Sequence, residues 1–234
     1  LRSLKNLWPF IVFFLLFLSF FAFDLHSYLT FDALKKYHTT MTGFVDQHFL
    51  WASLLYCLVY FLTASLSVPG AGLVTMVSGF LFGRYLGTFY VVISATLGAC
   101  VLFLMAQTVL HPFLKDKAGP WLSKMRAGFK ENAFYYLLSL RLIPIFPFFV
   151  VNLVPAFLGV DLRTFFAATA IGIVPACFIY VSIGTDLGKI LETNEVFSLK
   201  ALLSPSLLLS LTALGLLALV PIIIKKYRKR KPRS

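Results

Sequence analysis

The side chain best placed to do chemistry in this chain is Arg141, which opens an apolar stretch running to Gly159. Asn152 lies in the same stretch, together with Pro144, Pro147 and Pro155. A guanidinium stays charged and presents its donors as a planar fork, which suits bidentate capture of a phosphate. A charge at bilayer depth costs about 2.5–3.5 kcal/mol on insertion scales, so Arg141 is expected to face a partner or a cavity. Its competing role is to satisfy backbone carbonyls freed by Pro144 and Pro147. Asn152 either donates to the same ligand or bridges the two arms of a hairpin. Arg84 and Arg163 stand at the exits of broken apolar segments, where they either meet lipid headgroups or snorkel to the interface. Asp161 and Asp186, near span ends, read as solvated caps, with a protonatable role as the alternative.

Catalytic patterns are missing from the sequence. It contains no Gly-x-Ser-x-Gly, no His-Glu-x-x-His and no Walker loop. Its 9 acidic residues fall almost entirely outside the apolar segments, which leaves little material for paired-carboxylate chemistry. Cys57, Cys100 and Cys177 are isolated, with no Cys-x-x-Cys spacing, and read as small packing residues rather than metal ligands or disulfide partners. The expectation is a protein that is not an enzyme and uses no cofactor or metal.

The elements that must position Arg141 lie in a membrane. Of 234 residues, 59% are hydrophobic and only 13% charged, against about a quarter charged in soluble domains. The sequence therefore predicts an all-α integral membrane protein forming a single membrane domain over residues 1–234. Net charge is +12, and Lys225, Lys226, Arg228, Lys229, Arg230, Lys231 and Arg233 crowd the C-terminal end. A basic tail directly after an apolar run marks a cytoplasmic stop that meets anionic headgroups. Membrane lipids, and not nucleic acid, are the expected partners.

In chain order, residues 8–23 form a first span; no small-residue cleavage site follows it, so it does not read as a signal peptide. Residues 24–48 carry apolar positions at helical spacing and suit a surface helix. Residues 49–83 are apolar but interrupted around Pro69, Gly70 and Gly72, and end at Gly83; they read as re-entrant hairpin 1. Residues 85–110 form a span with a small-residue face at Ser94, Gly98 and Ala99. Residues 112–132 form a basic amphipathic helix. Residues 133–159 form re-entrant hairpin 2, because unsatisfied backbone groups at Pro144 and Pro147 would be costly in a straight lipid-facing helix. A span over 162–187, kinked at Pro175, a last span over 202–224 and the basic cytoplasmic tail 225–234 complete the chain.

The two hairpin units repeat. Gly83, Leu86, Thr88 and Phe89 recur at constant offset as Gly159, Leu162, Thr164 and Phe165. Each unit reads as a broken hairpin, a glycine, then a full span. If hairpin 1 enters from outside and hairpin 2 from inside, every lysine-rich segment falls on the cytoplasmic side, as the positive-inside rule requires. The prediction is about four transmembrane helices plus two oppositely oriented re-entrant helical hairpins in an inverted repeat, an arrangement used by transporters with a midplane site.

Arg141, Pro144, Pro147, Asn152, Gly159, Phe165, Gly172, Pro175 and Gly184, with Pro69, Gly70, Gly79, Gly83, Gly98 and Ala99 upstream, resemble the SNARE-associated Golgi protein family. This family is also called the VTT-domain or DedA superfamily, and the likeness, over about residues 60–190, is greatest to its yeast late-Golgi vesicle protein branch. The resemblance implies two facing re-entrant loops and movement of lipid across a bilayer, either phospholipid scrambling or recycling of a polyprenyl phosphate carrier. Two positions depart from the family pattern. Gln107 stands where many members have arginine, and residues 49–83 hold no Asp or Glu, unlike members taken to couple protons. The branch has many bacterial members, and the compact chain suits a bacterial inner membrane with both termini cytoplasmic; a Golgi or endoplasmic reticulum membrane is the alternative. The competing function is a non-transporting scaffold that recruits partners or anionic lipids through its basic surfaces.

Overall fold

A computed structural model describes residues 31–68, 71–110, 133–142 and 147–193, with Val220 and Ile224 near the C-terminal end. The expected first span 8–23, Pro69, Gly70, the basic helix 112–132, Pro144, nearly all of the last span 202–224 and the tail 225–234 lie outside the described residues. Within them every regular element is helical and no strand occurs. Two helical stretches are long and apolar enough to cross a membrane, Ala71–Thr108 and Leu162–Gly188. A bent pair, Thr39–Gln47 with Phe49–Ser65, adds a third if it counts as one span; its 118° angle at His48 separates a mixed helix from an apolar one. The chain is an integral membrane protein.

Helix α1 covers Phe31–Gln47 and α2 covers Phe49–Ser65. The chain turns through Leu66–Val68, with Ser67 at φ 48°, and α3 begins at Ala71 and runs to Met105. Gly72, expected to help shape hairpin 1, lies in the first turn of α3 against the Tyr180 ring. Helix α3 is not one rod. Gly83 has φ 74° and ψ 178° and divides it into limbs 71–82 and 84–105. Nine residues of continuous helix would separate Ser78 from Gly87 by roughly 13 Å. Here the Ser78 hydroxyl donates to the Gly87 carbonyl at 3.0 Å, so the second limb folds back along the first. The first limb also runs antiparallel to α2: the Phe49 ring meets Phe82, and the Tyr60 hydroxyl meets Thr75 Oγ1 at 2.8 Å. The second limb packs on α2 where Gly98 faces the Phe61 carbonyl and Ala64, and it ends in a π-helical turn, Ala106–Leu110.

The second half repeats this plan. Helix α4 covers residues 133–142, and α5 covers Phe148–Phe157 with Pro147 as its N-cap. A hydrogen bond between Arg141 and Asn152 joins the two. Gly159, at φ 75°, then releases the chain into α6, Leu162–Gly172. Gly83 and Gly159, paired by the sequence repeat, are the only positive-φ glycines among the described residues. Helix α7, Val174–Thr193, continues α6 after a turn at Ile173. The break precedes Pro175 because proline offers no N–H and its ring crowds the preceding turn's carbonyl.

Two apolar cores follow from this order. One packs α2 and both limbs of α3 against Cys177 and Val181 of α7. The other packs Ala99, Phe103 and Ala106 of α3 and its π turn against Leu137, Ala156, Phe165 and Ala168. Each hairpin thus packs on the long helix of the other half. The outer faces carry Leu50, Trp51, Leu54, Leu58, Phe89, Leu97 and Ile171 in exposed positions, as helices solvated by hydrocarbon require.

Candidate functional site at Arg141

Arg141 lies in the last turn of α4 and is 7% exposed. Its Nη2 donates to Asn152 Oδ1 on α5 at 2.6 Å and to Thr169 Oγ1 on α6 at 2.9 Å. One guanidinium therefore ties together three helices. Its carbon lies 5.3 Å from the centre of the Phe148 ring and 5.4 Å from that of Phe165, within cation–π range of both. Phe165 in turn stacks on Phe103 at 4.3 Å. The close approach of α6 depends on Gly172, where a Cβ would come within 2.5 Å of Arg141 Cβ.

The cluster is incomplete in hydrogen bonding. Arg141 Nε and Asn152 Nδ2 are buried donors with no partner among the described residues. No carboxylate forms an ion pair with Arg141 there either; the ion pair found joins Arg84 and Asp186. Buried unsatisfied donors cost roughly 1–3 kcal/mol each, more when charged. Two such donors and an unneutralised cation together suit an oxygen acceptor carrying negative charge.

Of the four arginines and amides expected to bind substrate, the structure brings together Arg141 and Asn152. Arg84 leaves the Gly83 turn and meets Asp186 of α7 at 3.2 Å, each side chain about a quarter exposed. Asp186 is accordingly an ion-pair partner and not a free cap. Arg163 is exposed in the first turn of α6. Asp161 is a cap: its carboxylate accepts from Thr164 N–H at 2.8 Å and from Thr164 Oγ1 at 2.9 Å. Those two bonds hold its carboxyl below the usual carboxylate range. Pro147 caps the start of the short helix α5, and Pro155 lies buried inside it.

A second polar cluster escaped the sequence reading. In hairpin 1 the Tyr56 hydroxyl donates to the Val74 carbonyl at 2.9 Å, and Tyr60 pairs with Thr75. Tyr56 and Tyr60 are four residues apart, so they share one face of α2. That spacing within an apolar helix was the available signal. Thr169 and Thr185 were likewise hidden inside apolar runs.

The model of the VTT domain matches residues 68–186, about half of the chain. The chain belongs to the VTT-domain family. The matched span begins at the turn into α3 and ends at Asp186, so it contains both glycine turns, the whole Arg141 cluster and the Arg84–Asp186 pair. Among VTT-type relatives, the chain is 27% identical over 204 residues to Transmembrane protein 41B of Xenopus laevis, covering 86% of this chain and 71% of that one. It is 28% identical over 203 residues to the Transmembrane protein 41 homolog of Dictyostelium discoideum, with 85% and 59% covered. An uncharacterized membrane protein of Arabidopsis thaliana is 27% identical over 241 residues, with 94% and 81% covered. No solved structure matches the chain.

Proposed function

We propose that this VTT-domain protein moves a phosphate-bearing lipid, a phospholipid or a polyprenyl phosphate, between leaflets. The observation that carries the reading is Arg141, a buried cation with no carboxylate partner among the described residues, beside an Asn152 Nδ2 that has no acceptor there. A lipid phosphate oxygen would satisfy Arg141 Nε and Asn152 Nδ2 together while the acyl chains stay in the bilayer. The short arms support a path beside the site. Limb 71–82 and helix α5 span roughly 18 and 15 Å at 1.5 Å per residue, less than the hydrocarbon thickness of about 30 Å, as re-entrant arms would.

In this reading hairpin 1 enters from outside and hairpin 2 from the cytoplasm, and both termini are cytoplasmic. The membrane is a bacterial inner membrane, with Golgi or endoplasmic reticulum as the alternative. The chemistry is transport, not catalysis, and no cofactor enters it. Lipid exchange between leaflets of liposomes holding the purified protein tests the reading, with fluorescent phospholipid and polyprenyl phosphate as cargo. Movement in wild type that is lost in folded Arg141→Ala supports it. Absence of movement of either lipid, with and without a pH gradient, from folded protein would replace it with the scaffold role.

A further inference from the structure

Two helices grip Arg141 in the same way. On α5, Phe148 and Asn152 stand four residues apart and so share one face. On α6, Phe165 and Thr169 do the same. Each pair supplies one aromatic ring and one oxygen acceptor to the guanidinium. Its carbon lies over the Phe148 and Phe165 rings at 5.3 and 5.4 Å. Asn152 Oδ1 and Thr169 Oγ1 accept from Nη2 at 2.6 and 2.9 Å. Nη2 carries two hydrogens, so these two bonds spend both, and a further acceptor must use the other nitrogens of the guanidinium.

The surroundings of the two pairs differ. The α6 pair is sealed: Phe165 is 0% and Thr169 1% exposed, and Phe165 stacks on Phe103. Gly172, on the same face of α6 as Thr169, brings the backbone against Cβ and Cγ of Arg141. Helix α6 therefore touches the arginine along its length, from stem to guanidinium. On α5, Phe148 is only partly buried and packs against both apolar cores, and Asn152 Nδ2 has no acceptor among the described residues. The backbone plan does not demand the α6 pair. At the offset that relates Gly83 to Gly159, Phe165 and Thr169 correspond to Phe89 and Ile93, which are 58% and 41% exposed. The first half thus builds the same glycine turn and long helix with no acceptor at this position.

We infer that Thr169 is a positioning residue: with Phe165 and Gly172 it fixes the Arg141 guanidinium on α6, so that Arg141 Nε and Asn152 Nδ2 are held ready for one anionic oxygen. One bond to Asn152 would let the guanidinium swing about it, and a second bond to another helix sets its orientation. Donors oriented in advance bind more tightly, because little freedom is lost when the ligand arrives. The inference rests on the reading of Arg141 as a phosphate site.

Binding is read as thermal stabilisation of the purified full chain in detergent by dioctanoyl phosphatidylglycerol. Dioctanoylglycerol, which lacks the phosphate, is the control. Thr169→Val keeps the volume and removes the acceptor, and Thr169→Ser restores it; Thr169→Ala stands in if the valine variant does not fold. The half-saturating concentration should rise roughly tenfold in Thr169→Val and return near the wild-type value in Thr169→Ser. A merely structural threonine would lower the melting temperature of the unliganded protein and leave that concentration unchanged. That result overturns the inference, as does a serine variant no better than valine. The Nε–Hε magnetic resonance signal of Arg141, identified by its loss in Arg141→Lys, gives a second readout without ligand. It should shift or broaden in Thr169→Val and return in Thr169→Ser, and an unmoved signal in the valine variant overturns the inference. If the phospholipid does not stabilise wild type, the phosphate reading fails, and the Nε signal decides whether Thr169 positions Arg141.

Discussion

Hairpin 1 and hairpin 2 show how one backbone plan can carry two chemistries. Each contains a short helical arm, a positive-φ glycine and a long helical stretch after it. Hairpin 1 is neutral inside: Tyr56, Tyr60, Thr75 and Ser78 spend their hydroxyls on each other and on backbone carbonyls. Hairpin 2 is charged inside, and its guanidinium and amide keep donors unspent. The tyrosine cluster of hairpin 1 is satisfied, although the Ser53 and Ser67 hydroxyls of the same hairpin are buried without a partner among the described residues. Hairpin 2 is poised for a ligand, because its missing acceptor must come from outside the described chain. The difference is one of charge, not of shape: the unspent donors of hairpin 2 include a guanidinium.

Breaking hairpin 2 should have the largest functional effect. Arg141→Ala removes charged hydrogen bonding worth about 1.5–3 kcal/mol, or roughly ten- to hundredfold in lipid movement, measured in liposomes. Asn152→Asp sharpens the same point: it supplies the missing carboxylate, so thermal stability should rise while lipid movement falls. A gain in both would show that Arg141 does not need an external anion. Breaking the contact of hairpin 1 with α7, where Gly79 lies on the Val181 carbonyl and Gly184 on the Met76 carbonyl, comes next. Gly79→Ala or Gly184→Ala forces a methyl into backbone, with an expected loss of about 1–3 kcal/mol or more in detergent unfolding. Thr108→Ala, at the position equivalent to Gly184, is exposed and should change stability by less than about 0.5 kcal/mol.

The shared feature should respond equally in both halves. Gly83→Ala and Gly159→Ala meet open space but force L-residues into positive φ, costing about 1–2 kcal/mol each. Markedly unequal losses would break the equivalence of the two turns. At the exit of hairpin 2, Asp161→Ala should remove a cap worth about 0.5–2 kcal/mol. Because the Asp161 carboxyl is held below its ordinary value, its contribution is fully present above about pH 4. It is lost as pH falls through the lower folded value. The wild-type minus Asp161→Ala stability difference should therefore shrink on acidification. At the exit of hairpin 1, Arg84→Gln should cost only about 0.2–1 kcal/mol, less in high salt, because the pair is part-exposed.

The sequence by itself determined the class, the breaks and the principal cation. Composition alone demands hydrocarbon surroundings. Glycine and proline mark where helices cannot continue, which is why Gly83, Pro147 and Gly159 were legible as turn or boundary positions. The offset between Gly83 and Gly159 made the repeat visible, and the pair proved to share a positive φ. Arg141 stood out because it opens an apolar stretch broken by prolines, where a charge at bilayer depth needs a partner or a cavity. Partners were decided only by the tertiary structure. Asp186 and Arg84 are far apart in the chain, and nothing in either neighbourhood announces the other; their pairing follows from the crossing of Gly79 on Gly184. Tyr56, Tyr60 and Thr169 look like ordinary members of apolar helices until folding places a carbonyl, a hydroxyl or a guanidinium opposite them. Local sequence dictates where a helix must end, because that depends on backbone sterics. Which side chains satisfy one another depends on the packing of distant segments, and only the folded chain brings those segments together.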